Sequence, residues 1–177
     1  MNKTLLMLPA CIALLSLGFS PNFNHSAGYP PAACVRTIPC DSIPLLNKKI
    51  INLVMQQIGK TVGRGECWDL AALVLNQSGA EWDKKFVYGR KVDPEKECVY
   101  PGDIIQFEGI KIKYTRERTV YTETMAHHTA VIYTVKSKGI FVIAHQNTGF
   151  SGRKVGLSEL DLGTIIKGIY HIYRPVM

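Results

Sequence analysis

The sequence predicts an α+β fold, with helices first and an antiparallel sheet after them. Two observations carry this. Apolar residues recur at helical spacing from Pro44 to Gly79, and beyond Val99 they alternate with polar ones. The two patterns are also segregated along the chain, which separates α+β from alternating α/β architecture. A length of 177 residues suits one domain. No internal repeat or low-complexity segment interrupts it.

Residues 1–27 read as a secretory signal peptide. "MNKTLLMLPACIALLSLGFS" has one early lysine and then a long apolar run. Small residues at Ser20 and in "SAG" (26–28) offer two cleavage points. Pro9 makes the run a poor membrane span, so no stable span is expected after its removal, and a retained anchor is the alternative. "LPAC" (8–11) resembles a lipoprotein processing box, but the apolar run continues past Cys11. The expected location is therefore outside the cell, in the periplasm or in the cell envelope. Residues 28–42 follow as an extended, proline-containing lead-in, and the domain proper is 43–177.

Within that domain, "IPLLNKKIINLVMQQIGKTVG" (43–63) reads as the first helix, opened by Pro44 and ended by Gly59. Leu46, Ile50, Leu53, Val54 and Ile58 form its apolar face. "CWDLAALVLNQSGA" (67–80) reads as the second, with Cys67 in its first turn and Gly79 as its stop. "FVYGRKV" (86–92) is a short strand or turn. "PGDIIQFEG" (101–109) is a turn entering a strand, and Asp103 takes a structural role there. "KIKYTRERTVYTET" (111–124) reads as one exposed strand. "HTAVIYTV" (128–135), "IFVIAH" (140–145) and "IIKGIYHIYRP" (165–175) complete the sheet, with a hairpin turn at "KSKG" (136–139).

The formal net charge is +7, and loss of Lys3 with the leader lowers it to +6. A basic domain is drawn to anionic polymers, although ordinary solubility explains the charge equally well. No nucleic-acid motif and no aromatic-interleaved basic stripe occur, so a nucleic-acid partner is not expected. Five cysteines are present, at 11, 34, 40, 67 and 98. With Cys11 in the leader and Cys67 free, one disulfide can form among the rest. Cys34 and Cys40 are the expected pair, because they flank a short segment in an exported chain. No spacing supports a zinc site, and neither metal nor cofactor is expected.

"VGRGECWDLA" (62–71) is the stretch that points to chemistry. Gly63 and Gly65 permit unusual backbone angles just before the helix that carries Cys67. A helix start favours a thiolate, the nucleophilic form of cysteine. Glu66 and Asp69 oppose it by their charge, unless they point to solvent or Glu66 caps the helix. The plain alternative is a buried small apolar side chain. A nucleophile needs a base, and histidine is the usual one. Of His25, His127, His128, His145 and His171, the first lies in the leader region and the last suits a strand. His127 and His128 face opposite ways, so one of them can meet Cys67. His145 ends the next strand, within hairpin reach of His128. A metal held by Cys67, His128 and His145 is the weaker use of the same residues. Trp68 and Trp82 are read as packing.

The ordered set "GRGECWDLA", "YPGDIIQF", "HHTAVI" and "IAHQNTG" resembles the CHAP family of papain-like amidases and endopeptidases, whose NlpC-type relatives share the layout. The resemblance covers roughly residues 43–175. It implies a papain-like fold with N-terminal helices packed on an antiparallel sheet. It implies Cys67 as nucleophile and His128 as base, with His127 as the alternative if the register slips by one. The family often reads Glu-Gln-Asn where this chain reads His145-Gln146-Asn147. Asn147 matches its place; His145 stands where a carboxylate is usual, as histidine does in the NlpC-type relatives. The implied substrate is a peptidoglycan amide bond. A protein-directed peptidase or deamidase, or a non-catalytic binding module, would keep the same fold. The sequence leaves the oligomeric state open.

Overall fold

The computed structural model describes Cys40 and residues 42–177. The expected leader, most of the lead-in, His25 and Cys34 lie outside the described residues. Two helices come first: α1 (Leu45–Met55) and α2 (Asp69–Ser78). Six strands follow: β1 (Arg90–Val92), β2 (Ile104–Arg116), β3 (Thr119–Ser137), β4 (Ile140–His145), β5 (Gly156–Asp161) and β6 (Ile165–Arg174). They form one antiparallel sheet in the order β1-β6-β2-β3-β4-β5. Among the described residues, no helix is long and apolar enough to cross a membrane.

Pro44 stands at the N-cap of α1, as its fixed φ suits. The helix stops at Met55, earlier than Gly59. The reason is tertiary: Ile58 bridges to Val155, Gly59 N–H donates to Val155 O, and Val155 N–H donates to Lys60 O. Strand-like pairing takes the backbone groups that another helical turn would have used. α2 ends at Gly79, whose φ of 82° gives the expected left-handed stop.

β2 and β3 correct the expectation of one exposed strand over 111–124. Glu117 and Arg118 both have positive φ, 49° and 67°. They form a two-residue hairpin loop that pairs Arg116 with Thr119. Such loops usually carry Asn or Gly, so Glu-Arg gave no turn signal. β5 was also not foreseen; it is short, polar and at the sheet edge.

Alternation gives each sheet face its own core. Ile50 and Val54 of α1 and Leu70, Val74 and Leu75 of α2 share one apolar cluster with Ile104, Val131, Ala144 and Tyr173 of the sheet. The other face buries Ile105, Phe107, Ala130, Ile132, Phe141 and Ile172, with no helix residue among them. These side chains are therefore buried by strands and loops. Lys138, in the β3–β4 turn, pairs with Glu95 after β1, tying together segments from distant strands.

Asp103 has the structural role expected of it. It is fully buried and accepts from Asn47 Nδ2 (2.8 Å), Tyr100 N (2.9 Å), Arg174 Nε (3.1 Å) and Arg174 Nη2 (2.8 Å). Burial pushes its carboxyl up, and Arg174 pulls the other way. This cluster joins α1, β2 and β6.

The disulfide corrects the expected Cys34–Cys40 pair. Cys40 is bonded to Cys98, across 58 residues of sequence, with Cα atoms 5.6 Å apart. Nearness in sequence misled: the segment before β2 is held where Arg174 Nη2 reaches Cys98 O, and that brings Cys98 to the start of the domain.

Candidate active site

Cys67 lies two residues before α2, next to its N-cap Trp68. The expected first-turn position is thus corrected to the turn that leads into the helix, where Asp69 N–H donates to Glu66 O at 3.1 Å. Trp68, the N-cap, already has helical angles, φ −82° and ψ −16°. The two glycines of the preceding loop have distinct reasons. Gly63 has φ +56°, and a Cβ there would meet Asp69 Oδ2 at 2.8 Å. Gly65 has φ +83°, and its Cβ would meet Arg153 Cβ at 2.7 Å. Asp69 needs that space because its carboxylate turns back to accept from Arg64 N (2.8 Å) and Glu66 N (3.1 Å). Glu66 caps nothing; its Oε2 accepts from Asn147 Nδ2 at 3.0 Å. Both carboxylates beside the cysteine are therefore engaged in shaping its loop.

Gln146 fastens that loop to the sheet. It is fully buried, accepts from Val62 N (3.1 Å), and donates to Val62 O (2.9 Å) and Glu66 O (2.7 Å). Asn147 follows with φ 61°, a left-handed conformation that asparagine tolerates better than most. Cys67 itself is half-buried and not in a disulfide. Among the described residues, its thiol has no hydrogen-bond partner.

On the other side of the sheet, β3 and β4 bring His128 and His145 together. His128 Nε2 and His145 Nδ1 are 2.8 Å apart, with the rings edge-on at 76°. His145 Nε2 continues to Ser158 Oγ on β5, also at 2.8 Å. Phe107 stacks on His128 and Phe150 leans on His145. The two imidazoles are only 6% and 7% exposed. Burial lowers His128 from 6.5 to about 4. Burial, with the charge of His128 added, lowers His145 to about 3. Both rings are neutral near pH 7 as a result. His128 Nδ1 has no hydrogen-bond partner among the described residues.

His127 turns to the opposite face. It pairs with Glu108 Oε2 at 2.5 Å and stacks on Phe86, with its side chain 65% exposed. His171 is on β6, beside the Tyr173 ring. Among the described residues, no group of three or more His, Cys, Asp or Glu side chains is arranged to hold a metal. Trp68 and Trp82 pack together, and Trp82 stacks on buried Tyr88. Burial pushes Tyr88 up to about 12, and the neighbouring Cys67 adds to the rise.

Comparison with known proteins places the chain in a family. A family model, the AIM3/BBC1 cysteine proteinase-fold domain, matches residues 46–177. The chain belongs to that family. Two similar solved structures are the crystal structure of Ly7917 and the crystal structure of Ly7917 with the hydrolyzing product of MDP. They are 15% and 16% identical, with TM-scores of 0.44 and 0.46. The matches cover 72% and 73% of this chain, and the chain spans 62% of the length of each structure. No curated protein sequence matches.

The structure brings His128 and His145 together but not with Cys67: the two imidazoles lie on the face of Phe107 and Ile132, the Cys67 loop lies on the helix-packed face with Gln146 and Tyr88, and among the described residues no hydrogen bond or ring contact joins Cys67 to either histidine. Three contributors were not foreseen. Gln146 had a signal: next to His145 on a strand end, it must face the other way, where a polar side chain needs partners. Tyr88 and Ser158 had none, because a fully buried tyrosine resembles core and β5 was not recognised. His128, His145, Asn147, Phe150 and Ser158 line a groove of about 1290 Å³, whose far side is the β2–β3 hairpin with Tyr114 and Arg116.

Proposed function

We propose that this cysteine proteinase-fold domain is a cysteine-dependent amidase or endopeptidase. The observation that carries the reading is the buried His128–His145 bond, which leaves Nδ1 as the only open nitrogen of His128. In this reading Nδ1 takes the proton of Cys67, and the thiolate attacks an amide carbonyl. The Cys67 amide, which has no hydrogen-bond partner among the described residues, helps hold the oxyanion. His128 then protonates the leaving amine, and water releases the acyl group. His145 orients the ring, and Asn147 holds the loop through Glu66. His128 and the Cys67 loop lie on opposite faces of the sheet with no contact between them, so this reading requires the strand end or the loop to rearrange when substrate binds.

The four-motif resemblance to the CHAP family supports peptidoglycan as the substrate, α1 and α2 as a papain-like layer against the sheet, and secretion. The Cys40–Cys98 disulfide is consistent with an oxidising compartment. A second reading, a binding module without turnover, is favoured by one observation: burial disfavours the imidazolium that catalysis requires. Incubation with purified sacculi, followed by mass spectrometry of released fragments, separates the two. The hydrolase reading expects new amine termini that are absent with Cys67→Ala. Retention on sacculi without fragments favours binding. Cleavage of protein substrates alone favours a protein-directed peptidase.

A further inference from the structure

We propose that the open sheet face shared by the β2–β3 hairpin and β6 docks this domain on a bilayer of anionic phospholipid. The proposal is independent of the chemistry at Cys67. It starts from the alternation of "IKIK" (110–113) at the foot of the hairpin. Ile110 and Ile112 are buried in the cluster that contains no helix residue. Lys111 and Lys113 therefore point to the opposite face, and both are exposed. The helices pack on that face against Ile104, Val131, Ala144 and Tyr173, and leave its hairpin end open. Lys167 of β6 stands directly opposite Lys111 in the β2–β6 ladder and is exposed as well.

Like charges directly opposite on a ladder destabilise it, so this arrangement costs the fold something. Nothing nearby offsets it. Among the described residues, none of the three lysines pairs with an acid. Lys111 and Lys113 stand opposite Thr124 and Thr122 of β3. Glu123, between those threonines, turns to the other face, where Tyr114 donates to it at 2.7 Å. Glu108 is taken by His127. The positive charge is thus left for a ligand outside the chain. Three exposed aliphatic side chains on the same face decide which ligand: Val120 (56%), Ile166 (56%) and Ile169 (60%). Val120 is opposite Thr115, in phase with the lysines. Ile166 follows Ile165, which packs in the helix-free cluster, and so points away from it. Ile169 is opposite Glu108, which alternates away from buried Phe107. A soluble anionic polymer would meet the lysines and leave these aliphatic groups in water. A bilayer satisfies both, because headgroup anions meet the ammonium groups while the aliphatic side chains enter the acyl boundary.

The test is co-sedimentation with vesicles of phosphatidylcholine, and of phosphatidylcholine with phosphatidylserine. The chain is used without its expected leader, residues 1–27, whose apolar run would bind lipid by itself. Dextran sulfate serves as the soluble polyanion. The wild type should bind the phosphatidylserine vesicles, release them as salt rises, and ignore phosphatidylcholine alone. Lys111→Gln/Lys113→Gln/Lys167→Gln should weaken vesicle binding roughly 100-fold, about a factor of five for each lysine. These substitutions relieve repulsion, so the loss cannot be put down to unfolding. Ile166→Ser/Ile169→Ser, with folding checked by circular dichroism, should weaken vesicle binding about tenfold or more and leave dextran sulfate binding unchanged. Equal binding to both kinds of vesicle, or to neither, overturns the proposal. So does undiminished binding by the lysine variant. An isoleucine variant that binds phosphatidylserine vesicles as well as the wild type, or that loses both ligands alike, also overturns it; the first result makes the face a polyanion site.

Discussion

Replacing His145 by glutamate tests how the site handles charge. Burial lowers His128 from 6.5 to about 4, which amounts to about 3 kcal/mol against its imidazolium. His145, 2.8 Å away, supplies no countercharge, because it is held neutral. A carboxylate at that distance raises a histidine by roughly one to three pH units, offsetting about 1–4 kcal/mol. His145→Glu should therefore favour proton transfer to His128 roughly 10- to 1000-fold over His145→Ala. Ser158 Oγ–H can still donate to the new side chain. Against the wild type, His145→Ala should lose on the order of 10²-fold or more in kcat/KM, as when an orienting group is removed. His145→Glu should retain more activity than that. Asn147→Ala should lose less than His145→Ala, because Asn147 bonds Glu66 and makes no hydrogen bond to His128. The assay is kcat/KM on sacculus fragments for the three variants, with folding checked by circular dichroism. If His145→Glu is no better than His145→Ala, or Asn147→Ala is the deepest loss, His145 is not the orienting group.

Cys67→Ala should abolish turnover while leaving the fold intact, and Cys67→Ser should be nearly inert; turnover by folded Cys67→Ala would end the thiol mechanism. Reduction of Cys40–Cys98 opens a loop closed across 58 residues, so Cys40→Ala/Cys98→Ala should lose about 4 kcal/mol in urea denaturation. An unchanged midpoint would show that the bond constrains little. Gln146→Ala strands Val62 N and takes one of two donors from Val62 O and from Glu66 O. It should cost on the order of 2 kcal/mol and slow Cys67 alkylation; an unaltered alkylation rate would mean that the loop holds itself. Stability should also fall with acid. His128 and His145 are lowered to about 4 and about 3 in the fold, so below about 6.5 the unfolded chain binds more protons. The expected loss between pH 7.5 and 5 is ~2–4 kcal/mol by urea denaturation. The raised carboxyl of Asp103 acts in the opposite sense at more acid pH. A flat profile from pH 7.5 to 5 would contradict neutral buried histidines.

Much of the fold was legible because periodicity reports burial directly. Ile50 and Val54, and Val74 and Leu75, fall on buried helix faces, and His127 and His128 part to opposite sides of β3 as alternation requires. Failures came where long-range contacts decide. Val155 ends α1 early by pairing with Ile58, and Cys98 takes Cys40 from a neighbour six residues away. Glu117 and Arg118 turn the chain without a residue suited to positive φ. At the candidate site, the Cys67 loop and both imidazoles were legible as residue types in order. The link from His145 to Ser158 was not, because nothing in the sequence marks a serine on an edge strand as the end of a hydrogen-bond chain.

The residues 145, 146 and 147 show how one strand end can serve chemistry and scaffold together. A period of two sends His145 into the groove toward His128 and turns Gln146 toward the loop before Cys67. Asn147, in a left-handed turn, then reaches Glu66. The imidazole that meets His128 and the amide that fastens the Cys67 loop are thus consecutive on one backbone. A shift of β4 along β3 by one residue would exchange their roles, leaving a histidine against the loop and an amide against His128. The buried pairing of Ala144 with Val131 and of Ile143 with Ile132 opposes such a shift, because it would move apolar side chains to the wrong faces. The geometry of the candidate site is therefore held by the apolar alternation of the sheet rather than by the polar residues that carry it.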